Sequence, residues 1–382
     1  MDALRWSQLS PLLDELLELE GALRVERLAQ IAAEDSALAD ELLQLLAMEQ
    51  QSTDFIAEPL LGRQEHPTRC GDRIGDYRLL ELLGEGGMGQ VWLAQDLRSP
   101  GGTQVALKLL RPDLADLHLR TRFLRERDTL LALSHARIPR LYGSGDEGQP
   151  YLALEYVSGE SINDYCRRHA ASVRHFVELF LQVCEALEHV HGQGIVHRDV
   201  KPTNILVDAY GEVRLLDFGI ARRCGEPLDP APGEDARAFT LHYAAPEQIR
   251  GEVPDTRADV YSLGVVLYEL LTGQKPYRLR RQSDAEWERS VLRVEVTPPS
   301  ALVERQAIAG AARRAASLRG DLDAIVLKAM QKDADRRYAS VSELAFDLRH
   351  WQRGEPIAPA AVAIIPTWLR WWRRTPIPRA GA

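Results

Sequence analysis

Cysteine is scarce in this 382-residue chain: only Cys70, Cys166, Cys184 and Cys224, with no two in a short paired spacing. Neither a zinc site nor a disulfide framework is expected from such a scatter. No run of about 18 uninterrupted apolar residues occurs, so no stretch reads as a membrane span. The N-terminus, Met1 to Trp6, places Asp2 where a signal peptide needs basic residues ahead of an apolar run. A cytoplasmic, reduced protein is the expectation. Basic charge is not concentrated either. The net charge is −9, and residues 1–60 hold 13 Asp or Glu against Arg5, Arg24 and Arg27, which leaves the remainder nearly neutral. Without a basic domain, a nucleic-acid partner is not expected.

What is present is ordinary globular material, 45% hydrophobic and 27% charged, in a chain long enough for two or three core-bearing units. Leu9, Leu12, Leu13, Leu16 and Leu17, then Leu38, Leu42, Leu45 and Leu46, recur at helical spacing. Residues 1–50 are therefore predicted to form a small acidic helical module. Residues 51–74, polar and interrupted by Pro59 and Pro67, read as a linker. At the other end, residues 353–382 form a tail in which Trp368, Trp371 and Trp372 alternate with Arg370, Arg373 and Arg374.

The densest chemistry lies between His197 and Gly219. Asp199, Lys201, Asn204 and Asp217 fall in one segment with apolar runs between them, which reads as a loop, a strand, a turn at Tyr210-Gly211 and a second strand. Both carboxylates then emerge at the same end of a hairpin. Phosphoryl transfer needs such a set, because it depends on positioning an acceptor and clamping charge more than on covalent chemistry. Upstream, Gly84, Gly86 and Gly89 follow a predicted strand, Tyr77 to Leu83. A dinucleotide-binding loop with this spacing would open a helix, but Gln90 to Ala94 is β-prone, so the glycines belong in a hairpin. Lys108 ends a third strand, and Glu126 lies on the next helix between Phe123 and Leu130.

These stretches resemble the serine/threonine protein kinases of the eukaryotic type found in bacteria, over roughly residues 75–352. The resemblance implies an α+β, two-lobed protein-kinase fold. A small antiparallel sheet with one key helix would occupy residues 75–157, and a mainly helical lobe residues 158–352. It implies MgATP as phosphoryl donor, with Mn2+ as an alternative metal, and proteins as acceptors. Asp199 would orient the acceptor hydroxyl, Lys201 would neutralise the γ-phosphate, and Asn204 and Asp217 would hold the metal. Lys108, paired with Glu126, would bind the α- and β-phosphates beneath Gly84, Gly86 and Gly89. Val91, Ala106, Leu154 and Leu206 would enclose adenine, with the backbone from Glu155 to Val157 bonding its edge. Leu130, Leu141, His197 and Phe218 match the column that links the lobes.

The same resemblance makes residues 220–243 the activation segment, closed by Ala245-Pro246-Glu247, with Glu247 paired to Arg337 and Asp259 holding the catalytic loop from below. Thr240 matches the threonine that contacts the catalytic aspartate. Arg198 is of the kind that pairs with a phosphothreonine, yet Thr240 is the only hydroxyl residue between Ile220 and Tyr243, and Glu234 and Asp235 stand where acceptors usually fall. Carboxylates in place of a phosphate are the expectation there. Phe239 replaces the usual glycine. Residues 278–320, with Arg278, Arg280, Arg281 and Pro298-Pro299, are predicted to form a surface helix and an extended loop. The Trp and Arg tail suits peripheral membrane contact or packing on the body, and the acidic helices suit a protein partner or dimer. Two other readings stay open: a nucleotide-binding scaffold that signals through those helices, and a phosphotransferase acting on small molecules.

Overall fold

The structure, a computed structural model, describes residues 68–86, 89–110, 117–146, 149–169, 172–225, 241–277, 283–306 and 310–357, with Ile31 and Asp35 ahead of them. Two compact units divide the chain, Met1–Glu65 and His66–Ala382. The second holds every strand among the described residues. The acidic helices, Glu234, Asp235, Phe239, Thr240, Arg278 to Arg281 and the Trp and Arg tail lie outside the described residues.

The first lobe is a six-stranded sheet in the order β1-β2-β3-β4-β6-β5, with its paired strands antiparallel. Its strands are β1 (Arg73–Ile74), β2 (Tyr77–Gly86), β3 (Gly89–Asp96), β4 (Gln104–Leu110), β5 (Leu141–Gly145) and β6 (Tyr151–Glu155), with helix α1 (Leu117–Ala132) between β4 and β5. Period-2 patterning decides which way each side chain points. Along β4, Val105, Leu107 and Leu109 pack with Tyr77, Leu79, Trp92, Ala94 and Ala153 in one closed cluster. The alternate residues, Ala106 and Lys108, are left on the opposite, half-buried face.

Residues 68–74 are not linker, as their polarity suggested. Arg73 and Ile74 pair with Arg78 and Tyr77 across a turn at Gly75, where φ is +54°. Gly71 N–H donates to Leu79 O at 2.9 Å, and Cys70 Sγ to Leu80 O at 2.8 Å. A two-residue strand is too short to show as a period.

The second lobe runs through β7 (Gly159–Ser161), α2 (Ile162–Arg168), α3 (Val173–Gly192), β8 (Ile195–Val196), β9 (Ile205–Asp208), β10 (Val213–Leu215) and β11 (Arg222–Arg223). It continues with α4 (Pro246–Ile249), α5 (Thr256–Thr272), α6 (Asp284–Arg293), α7 (Pro299–Glu304), α8 (Ala311–Leu318), α9 (Asp321–Ala329) and α10 (Val341–Arg353). Strand order β10-β9-β7 makes a small sheet, and β11 pairs with β8.

Helix α5 is the axis of this lobe. From Ala258 to Tyr268 every residue is buried, which is why the sequence there is apolar nearly all round. Asp255 caps its first turn, and Gly273 ends it at φ +70°. Gly264 lets α9 approach closely: a Cβ there would lie 2.7 Å from Met330 Cγ and 3.0 Å from Ala329 Cβ.

Residues 283–318 differ from the surface helix and loop expected of them. Helices α6, α7 and α8 bury Trp287, Val291, Leu302, Val303, Ala315 and Leu318 in the main core. Alanine and arginine masked the pattern, since short helices need only two or three apolar residues each to dock. Among the described residues no helix is long and apolar enough to cross a membrane.

Candidate active site

The site is built on a loop that its neighbours hold in strain. After β8 the chain turns through Arg198 at φ +68°, and after β10 through Asp217 at φ +58°. Left-handed backbone at residues other than glycine costs on the order of 1 kcal/mol or more and persists only where surroundings impose it. Asp259, at the start of α5 and wholly buried, imposes the first. Its Oδ2 accepts the His197 N–H and its Oδ1 the Arg198 N–H, both at 2.8 Å. His191 Nε2 donates to the same carboxylate at 2.7 Å. Burial pushes the Asp259 carboxyl up, but the His191 hydrogen bond and charge outweigh it and hold the group below the ordinary value. His191 was not picked out in the sequence, where a histidine near a helix end carries no signal of its own.

Asp199 is fixed by two partners. Lys201 Nζ lies 2.8 Å from Oδ2, and Asn204 Nδ2 donates to Oδ2 at 3.0 Å and to the Asp199 carbonyl at 2.9 Å. Leu216 N–H then donates to Asn204 O at 2.7 Å, which ties this loop to the strand that delivers Asp217. His197 packs its ring 4.8 Å from Phe218 and bonds Leu216 O through Nε2 at 3.2 Å. Leu130 and Phe218 are buried in the main core, and Leu141 packs against it.

Lys108 joins the lobes. Its Nζ donates to Glu126 Oε1 and Oε2 at 2.7 and 2.8 Å and to Asp217 Oδ1 at 2.9 Å. Burial pushes the Lys108 amine down, but the two carboxylates reverse this and keep it protonated. For Asp217, burial pushes the carboxyl up; the Lys108 charge and hydrogen bond, then Lys201 and the Gly219 N–H, pull it well below the usual carboxylate range. The site therefore presents an ionised carboxylate bonded to the Lys108 ammonium and within reach of the Lys201 charge.

The donor set fits a nucleotide and a hard divalent ion. Asn204 makes both of its side-chain bonds to Asp199 through Nδ2, so its Oδ1 is the atom left for a metal. A Cβ added at Gly84 or Gly86 would meet nothing within 4 Å, so the space at this hairpin is open. Gly89 has a different reason to be glycine: a Cβ there would sit 1.8 Å from Leu109 O of the neighbouring strand. Val91 pairs in register with Lys108, and Ala106 with Leu154, all half-buried on one side of the sheet. Leu206 is likewise half-buried, between Ile205 and Val207 of β9, which are wholly covered. Glu155 N–H is taken by Arg140 O at 2.8 Å, whereas Val157 makes no backbone hydrogen bond among the described residues.

Below the site, Arg337 makes two bonds to Glu247, Nη1 to Oε1 and Nη2 to Oε2, each 2.7 Å. Gln248, which the sequence did not single out, donates from Nε2 to Arg198 O at 3.1 Å and so ties α4 to the catalytic loop.

A family profile described as protein kinase domain matches residues 77–345. The chain belongs to the protein kinase family. Among its relatives, the serine/threonine-protein kinase PknB of Mycobacterium tuberculosis is 38% identical over 297 residues, which is 76% of this chain and 44% of that protein. PknB of Mycolicibacterium smegmatis is 38% identical over 301 residues, 77% and 45% of the two chains. A probable serine/threonine-protein kinase of Streptomyces coelicolor is 35% identical over 315 residues, 78% and 42%. The kinase spans less than half the length of the curated relatives it matches. Membership implies use of ATP with a divalent metal, and the sheet-plus-helix lobes described above are the two lobes of that fold.

Proposed function

We propose that this kinase transfers the γ-phosphoryl group of ATP to serine and threonine hydroxyls of proteins. The observation that carries the reading is one connected set: Glu126, Lys108 and Asp217 on one side, Lys201, Asp199 and Asn204 on the other, joined through Leu216. Lys108, held by Glu126, offers positive charge to the α- and β-phosphates. Asn204 Oδ1 and Asp217 would hold the metal, Mg2+ in preference to Mn2+, and it would supply positive charge to the phosphates. Lys201 spreads the charge on the moving group, and Asp199 accepts the hydrogen bond of the attacking hydroxyl and aims its oxygen. Val91, Ala106, Leu154 and Leu206 line the adenine, and the Glu155 carbonyl and Val157 N–H bond its edge.

Incubation with labelled ATP and protein tests the reading: label on serine and threonine, lost in Asp199→Asn, supports it. Equal labelling by that variant, or transfer to sugars or other small molecules alone, contradicts it. Activity is expected without prior phosphorylation, Glu234 and Asp235 serving Arg198 as a phosphothreonine would. The progress curve of unphosphorylated protein should then start without a lag. The tail from Trp368 to Arg374 would rest on anionic membranes, which flotation against a variant ending at Pro359 checks; the acidic helices would take a protein partner or a second copy.

A further inference from the structure

The segment after Thr240 is tied to three helices of the second lobe. Trp287 of α6 donates its indole N–H to Leu241 O at 2.8 Å, and Ser262 of α5 donates its hydroxyl to Tyr243 O at 2.8 Å. The Tyr243 hydroxyl donates to Glu269 at 2.6 Å. Gln248 accepts the Ala245 N–H at 2.9 Å while bonding Arg198 O. His242 thus sits on a track pinned at both ends and tied to the loop that carries Asp199. Gln248 bonds the carbonyl of Arg198, the residue before Asp199, so a protein segment with its hydroxyl at Asp199, advancing about 3.3–3.6 Å per residue when extended, comes within reach of this track in a few residues.

Lys275 faces that track from the turn after α5. Its Nζ donates to His242 Nδ1 at 3.1 Å and lies 5.7 Å from the Tyr243 ring centroid. It is half-buried and makes no ion pair among the described residues. Glu269, the carboxylate whose charge reaches it, is already engaged by Tyr243. The imidazole of His242 accepts from the ammonium and meets the Trp287 ring edge-on, centroids 4.3 Å apart, so it is neutral. A partly desolvated cation is left with a neutral ring nitrogen and an aromatic face for company. An incoming carboxylate is the partner that such a charge lacks.

We propose that Lys275, positioned by His242, selects protein substrates that carry Asp or Glu within a few residues of the accepting serine or threonine. The inference rests on the phosphoryl-transfer reading above. It is tested with the full chain on matched peptides in which each flanking position in turn is Glu, Gln or Lys, measured as kcat/KM. At one or two positions Glu should exceed Gln by about fivefold and Lys should fall below it. Lys275→Glu should reverse that order, and Lys275→Met, which keeps the apolar stem, should flatten it even if the charge reversal folds poorly. Equal use of all peptides by the wild type, or the same order in both variants, overturns the selection and leaves transfer standing. Failure to label any peptide at all removes the transfer reading, and this inference with it.

Discussion

Lys108 and Asp217 stand 109 residues apart in the chain and 2.9 Å apart in space, Nζ to Oδ1. The lysine comes from a strand of the first lobe and the aspartate from the loop after β10, so this hydrogen bond links the two lobes. Glu126 holds the lysine from the other side, with its own side chain almost wholly buried. Replacing Lys108 by Met should lower kcat/KM by on the order of 100-fold or more, since charge stabilisation in a water-poor site is lost. It should also cost about 3 kcal/mol of stability, because Glu126 is left buried without a partner. Steady-state kinetics and urea unfolding on the same preparation check both.

Glu247 and Arg337 form a second buried pair, two-pronged, with the Arg337 side chain fully covered. Arg337 also donates to the carbonyls of Gln331 and Arg257, at 2.7 and 2.9 Å. Arg337→Ala should therefore destabilise the fold by about 3–5 kcal/mol. Arg337→Lys should recover little, because an ammonium cannot reproduce the fork. A urea midpoint for either variant close to wild type would contradict this account of the lower lobe.

Asp259 acts through the backbone it holds. In Asp259→Asn one oxygen becomes a donor that faces an N–H, so either His197 or Arg198 loses its acceptor. The left-handed turn at Arg198 should relax. The expected result is a fall in kcat of roughly 10- to 100-fold with the KM for ATP nearly unchanged, since Asp199 moves while Lys108 does not.

His242 gives the stability a pH dependence. Burial, then the Lys275 charge, hold it down to about 4 from an ordinary 6.5. Because the folded value lies below the unfolded one, the unfolded chain takes up the proton first on acidification. The contribution is present above about pH 6.5 and is lost as pH falls toward 4. Between pH 7 and pH 5 it amounts to about 2 kcal/mol. Wild type and His242→Asn, unfolded in urea at both pH values, should differ in slope by that amount, with the variant the flatter of the two.

The proposed site residues were legible because their chemistry is packed into short local patterns. Asp199, Lys201 and Asn204 lie within six positions, and Asp217 is one hairpin further on, so strand and turn patterning alone brought them to one end. Glu126 was legible only through the family resemblance, as the expected partner of Lys108. His191, Gln248 and Trp287 were not, because each acts on a group far away in sequence: Asp259 is 68 residues from His191, and Leu241 is 46 from Trp287. Nothing in a local window distinguishes such a side chain from an ordinary helix face. The buried α6 to α8 region was hidden for a related reason. Its helices are too short for a period to emerge, and the core against which they pack decides their burial. Gly89 has a cause that no local pattern shows: its missing side chain makes room for Leu109 O.

In the proposed function Asp199 serves the transfer step and Asp217 the binding of the metal-bound nucleotide. The direct test measures ATP affinity in the presence of Mg2+ together with single-turnover phosphoryl transfer to protein, for wild type, Asp199→Asn and Asp217→Asn. The account predicts that Asp199→Asn binds nucleotide within about threefold of wild type yet transfers on the order of 1,000-fold more slowly, while Asp217→Asn loses both. Wild-type transfer by Asp199→Asn, or undiminished metal-dependent binding by Asp217→Asn, would contradict it.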